Sequence, residues 1–164
     1  MPKYGRNLIS QTNTITQELA ARKELKRFTF LGSGPQFGIA SEGMLKMTEM
    51  SLTVAHAFHF MEYRHGPMSM ANEEAAIIGL LSPTAAIHEK QVLDEMAANG
   101  ATTLSLSPAE GDINLPANLP TWAYPVLYLP PLQLLAYHRS ISKGLDPDNP
   151  RNLTAVVYLD KAAF

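Results

Sequence analysis

Apolar and polar positions along this chain switch between a helical period and short continuous apolar runs. Residues 7–26, NLISQTNTITQELAARKELK, place Leu8, Ile15, Leu19 and Leu25 on a partial apolar stripe, with helix-forming Glu and Lys near the end; the pattern predicts an amphipathic helix. Arg27 to Gly32 is an aromatic and β-branched run closed by glycine, which predicts a buried strand. Gly32-Ser-Gly-Pro-Gln-Phe-Gly38 reads as a turn, and Ile39 to Ser51 as a helix. The apolar residues of that helix fall nearly all round, so it is expected to be buried. Val54 to Phe60 predicts a second strand and Ala75 to Leu81, AAIIGLL, a third. Thr84 to Asn99 predicts a helix stopped by Asn-Gly. Thr102 to Leu106 predicts a fourth strand, and Asp112 to Leu115 a short strand within a Pro- and Gly-punctuated loop.

Strands alternating with helices argue for an α/β fold with a parallel sheet covered on both faces. Residues 122–143 are ambiguous. Tyr-Pro-Val-Leu-Tyr-Leu has strand composition, Leu132 to Ser142 reads as helix, and Pro130-Pro131 should break any continuous helix between them. The segment after Ser142 reads as loop, with Gly144 a helix stop and Val156 to Leu159 of strand propensity.

Composition narrows the class. At 164 residues the chain suits one domain, and 46% hydrophobic against 17% charged residues argues for a packed core. Thirteen basic and fifteen acidic residues leave a net charge of −2, against a strongly basic nucleic-acid binder. No apolar run is long enough to span a membrane, and the first residues lack the apolar middle of a signal peptide. A cytoplasmic domain is expected. The absence of cysteine excludes disulfides, zinc ribbons and a catalytic thiol.

Several side-chain groups could carry chemistry. Glu42, Lys46 and Glu49 follow one another at spacings of four and three, on one helix face. A carboxylate held beside a lysine can act as a general base for a proton next to a carbonyl; the alternative is a solvated face with ordinary ion pairs. In Glu62-Tyr-Arg-His65-Gly-Pro67 the Gly-Pro turn can present the imidazole for proton transfer near neutral pH. His65 could equally cap a helix or bind a backbone carbonyl. The glycine-rich turn 32–38 could cradle a phosphate on its backbone amides, but its spacing matches a dinucleotide fingerprint only loosely, and a tight strand-to-helix turn is the simpler reading. His56 and His59, three apart on a strand, point to opposite faces and make a poor chelate, so no metal is expected. The Asn152-Leu-Thr154 triplet fits a glycosylation acceptor, but nothing points to secretion.

Three segments in order, FLGSGPQFGIASEGMLKMTEMS, EYRHGP and PLQLLAYHRSISKGLDPDNPRNL, resemble the second sugar isomerase (SIS) domain of glucosamine-6-phosphate synthase. They are similar as well to the double-SIS phosphosugar isomerases, deaminases and fructosamine deglycases. The resemblance runs from about Phe28 to Leu159. It implies a three-layer α/β/α sandwich with a five-stranded parallel sheet of flavodoxin-type topology, and a helix over most of 122–143. Residues 1–26 are then an N-terminal helix or linker and 27–164 a single SIS domain, half of a double-SIS protein.

The implied activity is isomerisation of a sugar phosphate such as fructose 6-phosphate or glucosamine 6-phosphate, with deamination or deglycation as relatives of it, and without cofactor or metal. The base that moves a proton between C1 and C2 falls on Glu49, preceded by Glu42 and Lys46. The ring-opening histidine falls on His65, which in a homodimer would act in trans. Glu42, Ser33 and Thr154 are expected to contact substrate. Neither nucleic acid nor membrane is implied.

Two departures weigh against full activity. Ala155 stands where the synthase has an imine-forming lysine, and Lys161 lies at the wrong spacing. The loop Leu81-Ser-Pro-Thr-Ala-Ala-Ile offers only the Ser82 and Thr84 hydroxyls, short of the Ser/Thr-rich phosphate loop of the family's first SIS domain. A non-catalytic sugar-phosphate-binding or dimerisation module is therefore the alternative. With about 27 residues before the first strand and no basic cluster there, a DNA-reading sensor is not expected.

Overall fold

The structure, a computed structural model, describes residues 2–149. In chain order the elements are α1 (Pro2–Ala21), β1 (Arg27–Gly32), α2 (Pro35–Ser51), β2 (Val54–Phe58), α3 (Phe60–Tyr63), β3 (Ala75–Leu80), α4 (Ala86–Ala98), β4 (Thr102–Ser107), β5 (Ile113–Asn114) and α5 (Tyr124–Ser142). The five strands pair in parallel in the order β2-β1-β3-β4-β5. This is the expected flavodoxin-type order, with its reversal of winding between β1 and β3.

The sheet is covered on both faces. Phe28, Phe30, Ala76, Ile78, Leu80, Leu104 and Leu106 pack with α1, α2 and α5. Leu31, Ala75 and Ile77 point the other way, with Phe60 and Tyr63 of α3 and Val92, Leu93 and Met96 of α4. Every residue of β3 is buried, which is why its sequence is one unbroken apolar run. The edge strand β2 is more open, and Val54 is exposed.

Helix α1 starts five residues earlier than the periodicity suggested and stops at Ala21, the chain then turning through Leu25 into β1. Its buried face contains Thr12 and Thr16 beside Leu8, Leu19 and Ala20. The threonines can be buried because each hydroxyl donates back to the preceding turn, Thr12 to Leu8 O at 2.7 Å and Thr16 to Thr12 O at 2.8 Å.

Two expectations are corrected. Helix α2 is not buried all round: Gln36, Ala40, Gly43, Met47 and Ser51 face inward, while Leu45 is exposed and Glu42, Lys46 and Glu49 sit at the rim. And Pro130-Pro131 do not break α5, which runs through them. The missing N–H groups weaken the ladder there. The helix survives because Leu127, Tyr128, Pro131, Leu132, Leu135 and Ala136 are all buried against α1, α2 and the sheet. Tertiary burial outweighs both the prolines and the strand propensity of the segment.

The turn from β1 into α2 is tight. A Cβ on Gly32 would lie 2.5 Å from the Gln36 carbonyl oxygen, whereas one on Gly38, inside α2, would meet nothing within 4 Å. Gly32→Ala is therefore expected to cost about 1–3 kcal/mol, and Gly38→Ala to be neutral or to gain about 0.5–1 kcal/mol, as read by thermal unfolding. Equal melting temperatures for the two variants would contradict this reading of the turn.

At the C-terminal end of the central strand β3, the fully buried Tyr128 donates its hydroxyl to Leu81 O at 2.5 Å, and burial pushes its phenol well above the usual range. Tyr128→Phe leaves that carbonyl unpaired and is expected to cost about 1–3 kcal/mol in urea unfolding. A loss below the error of the measurement would mean that the carbonyl finds another donor.

Candidate functional site

Glu42, Lys46 and Glu49 form one charged row on α2. The Lys46 ammonium lies 3.1 Å from Glu49 Oε2 and 3.7 Å from Glu42 Oε1. The hydrogen bond it donates to Glu49, with smaller help from Glu42, holds the ammonium above its ordinary pKa against partial desolvation. About a third of each side chain is exposed, so this pairing is a rim feature rather than a buried triad, and its contribution to stability is small.

Glu49 faces a cavity of about 210 Å³, closed by Met50 and Leu52 from the end of α2 and by Gly144, Leu145, Asp146 and Asn149 from the loop after α5. Two backbone features shape it. Leu52 caps α2 in a left-handed conformation (φ 49°), a strained geometry for a leucine, and donates its N–H to Thr48 O at 3.0 Å. Lys143 fixes this turn from the other side, its Nζ donating to Ser51 O at 2.5 Å, Leu52 O at 2.9 Å and Thr53 Oγ1 at 3.2 Å. Gly144 takes φ 68°, the left-handed stop that turns the chain out of α5.

Sequence reasoning missed Asp146 and Asn149. The Asn149 side chain donates to Asp146 Oδ2 at 2.7 Å and the Asp148 N–H to Asp146 Oδ1 at 3.0 Å, which holds the Asp146 carboxyl below its usual pKa. An aspartate at the head of an Asp-Pro-Asp-Asn turn is the available signal, but it reads first as turn chemistry.

The remaining predicted residues lie elsewhere. Ser33 sits between β1 and α2, its carbonyl accepting from the Gln36 N–H, at the opposite end of α2 from Glu49. At 1.5 Å per residue the helix alone puts about 20 Å between them. His65 lies beyond α3, exposed, its N–H bonded to Glu62 O. That region also belongs to the far end of α2, because the His59 ring stacks on Phe37 with centroids 4.0 Å apart. Within one chain the structure thus gathers Glu42, Lys46 and Glu49 at one end of the strands and leaves Ser33 and His65 at the other. Thr154, Ala155, Lys161 and the Pro-Arg-Asn-Leu segment lie outside the described residues.

The loop 81–86, weighed as a phosphate cradle, is filled from within. The buried Glu89 carboxylate accepts the Ser82 N–H at 2.5 Å, and Ser82 Oγ accepts the Ala85 N–H at 3.0 Å. His56 lies on β2 and His59 caps α3; among the described residues no group of three or more His, Asp or Glu is placed to hold a metal ion.

The family model described as SIS domain matches residues 23–113. This chain belongs to the SIS domain family. A glutamine–fructose-6-phosphate aminotransferase (isomerizing) of Pyrobaculum aerophilum is 33% identical over 170 residues, an alignment covering 98% of this chain and 28% of that protein. The namesake from Pyrococcus horikoshii is 33% identical over 158 residues, covering 90% and 26%.

Among solved structures, glucosamine-6-phosphate deaminase from Thermotoga maritima superposes with a TM-score of 0.79 at 32% identity, over 91% of this chain and 46% of that one. The C-terminal domain of glucosamine-fructose-6-phosphate aminotransferase from Francisella tularensis gives 0.75 at 26% identity, over 88% and 43%. This SIS chain therefore spans about a quarter of its curated relatives and just under half of the solved ones. Among the described residues no helix is long and apolar enough to cross a membrane.

Proposed function

We propose that this SIS domain supplies the proton-transfer half of a sugar-phosphate isomerase-type site, with Glu49 as the base. The observation that carries the reading is the placement of the Glu49 carboxylate in a cavity with a lysine ammonium 3.1 Å away. In the open-chain aldose phosphate, Glu49 would take the proton from C2 as the C1 carbonyl gains its enol character. It would return that proton to C1 while the O2 hydroxyl proton passes to O1, so that C2 becomes the carbonyl of the ketose. Lys46, paired with that carboxylate, provides positive charge near the developing enediolate.

The substrate class, a phosphate of fructose or glucosamine, is taken from the names of the relatives. A cytoplasmic setting is proposed with it. The cavity is smaller than the ~300–1,000 Å³ of an ordinary ligand site, which suits a pocket for the reacting end of a sugar and not for the whole molecule.

His65 enters this proposal only in trans. With about 20 Å of helix between the His65 region and Glu49, ring opening by His65 requires the site of a second copy in a homodimer. The test is interconversion of fructose 6-phosphate and glucose 6-phosphate by the chain, followed with an enzyme-coupled assay, in wild type, in Glu49→Gln and in His65→Asn. If His65 acts in trans, mixing the two inactive variants restores part of the activity. Mixtures as inactive as the single variants would remove the trans arrangement.

A second reading, a non-catalytic module, is favoured by one observation. In the loop at the end of β3 the Ser82 amide is taken by the buried Glu89 carboxylate and the Ser82 hydroxyl oxygen accepts from Ala85 N–H, so that amide is not free for a sugar phosphate.

A further inference from the structure

A second cavity adjoins the first. It measures about 450 Å³ and is lined by Lys23 and Lys26 from the turn after α1, Leu52, Thr53 and Val54 from the α2–β2 connection, and Arg139, Ser142 and Lys143 from the end of α5. Leu52 lines both cavities. We propose that this cavity is an anion site that takes a phosphate group.

Charge is the first argument. Four cationic side chains and no carboxylate line the cavity, in a chain whose net charge is −2. Three helix ends, those of α1, α2 and α5, bring their carbonyls to this edge of the sheet. Their macrodipoles offset about −1.5 of the formal charge, leaving roughly +2.5 unopposed. The nearby Glu24 does not line the cavity and is tied to Arg22 by a 2.7 Å ion pair.

Burial is the second argument. Arg139 is only 6% exposed, and its guanidinium bonds to three carbonyls and sits over the Phe28 ring, without a carboxylate in contact among the described residues. Glu24 acts on it only at a distance, and a buried cation without a carboxylate in contact is costly and projects its field into the nearest opening. Desolvation, with the neighbouring Arg139 charge, also holds the Lys143 ammonium below its ordinary pKa. An anion in the cavity would relieve both.

Helix capping explains Arg139 and Lys143 but not the two lysines. Lys26 Nζ makes one bond, to Lys23 O at 2.9 Å, and Lys23 Nζ makes none among the described residues. These are the donors free to meet a ligand. The shared chemistry is a phosphate dianion, free or as the monoester of a sugar whose other end would lie toward Glu49.

Amide NMR titrations with inorganic phosphate, with fructose 6-phosphate and with fructose, at constant ionic strength, test the site. Saturable shifts are expected at residues 23–26, 52–54 and 142–143 with both phosphates and not with fructose. Equal affinity marks the free phosphate as the ligand, and tighter binding of fructose 6-phosphate marks the sugar phosphate. Lys23→Ala/Lys26→Ala, on exposed side chains, should weaken binding by about tenfold or more, and Lys23→Glu/Lys26→Glu should weaken it further.

Phosphate bound as tightly by the alanine variant as by wild type would overturn the proposal. So would shifts centred on the loop 81–86, or no saturable binding. The titration reads binding alone, so it stands or falls separately from the role of Glu49.

Discussion

Replacing Glu49 by glutamine is expected to lower the rate of sugar-phosphate isomerisation by about 10²–10⁴-fold, the usual worth of a positioned general base. The substitution keeps the shape and removes the proton acceptor. It leaves the fold intact, because the side chain is at the rim of α2 and its ion pair with Lys46 is partly solvated. Unfolding midpoints within about 0.5 kcal/mol of wild type are expected, together with an unchanged far-ultraviolet spectrum. A variant that unfolds, or one that keeps its rate, would each contradict this account, the first in the structural role assigned to Glu49 and the second in the catalytic one.

The second large effect concerns stability. Arg139→Leu is expected to destabilise the domain by about 3–5 kcal/mol. The guanidinium donates to Ala20 O at 2.9 Å, Arg22 O at 2.9 Å and Leu25 O at 2.5 Å, tying the end of α1 and the turn into β1 to α5. Leucine relieves the desolvation of a buried charge, which works in the opposite direction. The three carbonyls decide the balance, since each loses a charge-assisted bond worth about 1.5–3 kcal/mol where water has poor access. In urea the midpoint should fall by about 2 M at an m-value near 2 kcal/mol/M. A loss under about 1 kcal/mol would mean that water replaces the guanidinium at those carbonyls.

The sheet was legible in the sequence where burial is complete. Ala75 to Leu80 is apolar throughout because both of its faces are covered, and its continuous pattern locates β3 to within a residue. The charged row on α2 was legible too, since spacings of four and three define one helix face whatever the tertiary structure.

Residues 124–142 were not legible by composition. Local propensity and Pro130-Pro131 oppose a helix there, and only packing against three neighbouring elements reverses the balance. The resemblance to SIS domains supplied the helix instead. Nor does sequence order reveal distance. His65 follows Glu49 by sixteen positions, yet β2 and α3 carry it to the opposite end of the strands. Asp146 escaped notice because its neighbours read as turn residues, and the turn is what brings it to the Glu49 cavity.

The central claim is that Glu49 moves a proton at C2 of a sugar phosphate. It is tested most directly by proton NMR of glucose 6-phosphate and fructose 6-phosphate in D2O, with the chain at catalytic concentration. The account predicts that wild type replaces the C2 proton of the aldose, and one C1 proton of the ketose, by deuterium, and that Glu49→Gln does not. Equal exchange by the two proteins, or no exchange by wild type, would contradict it.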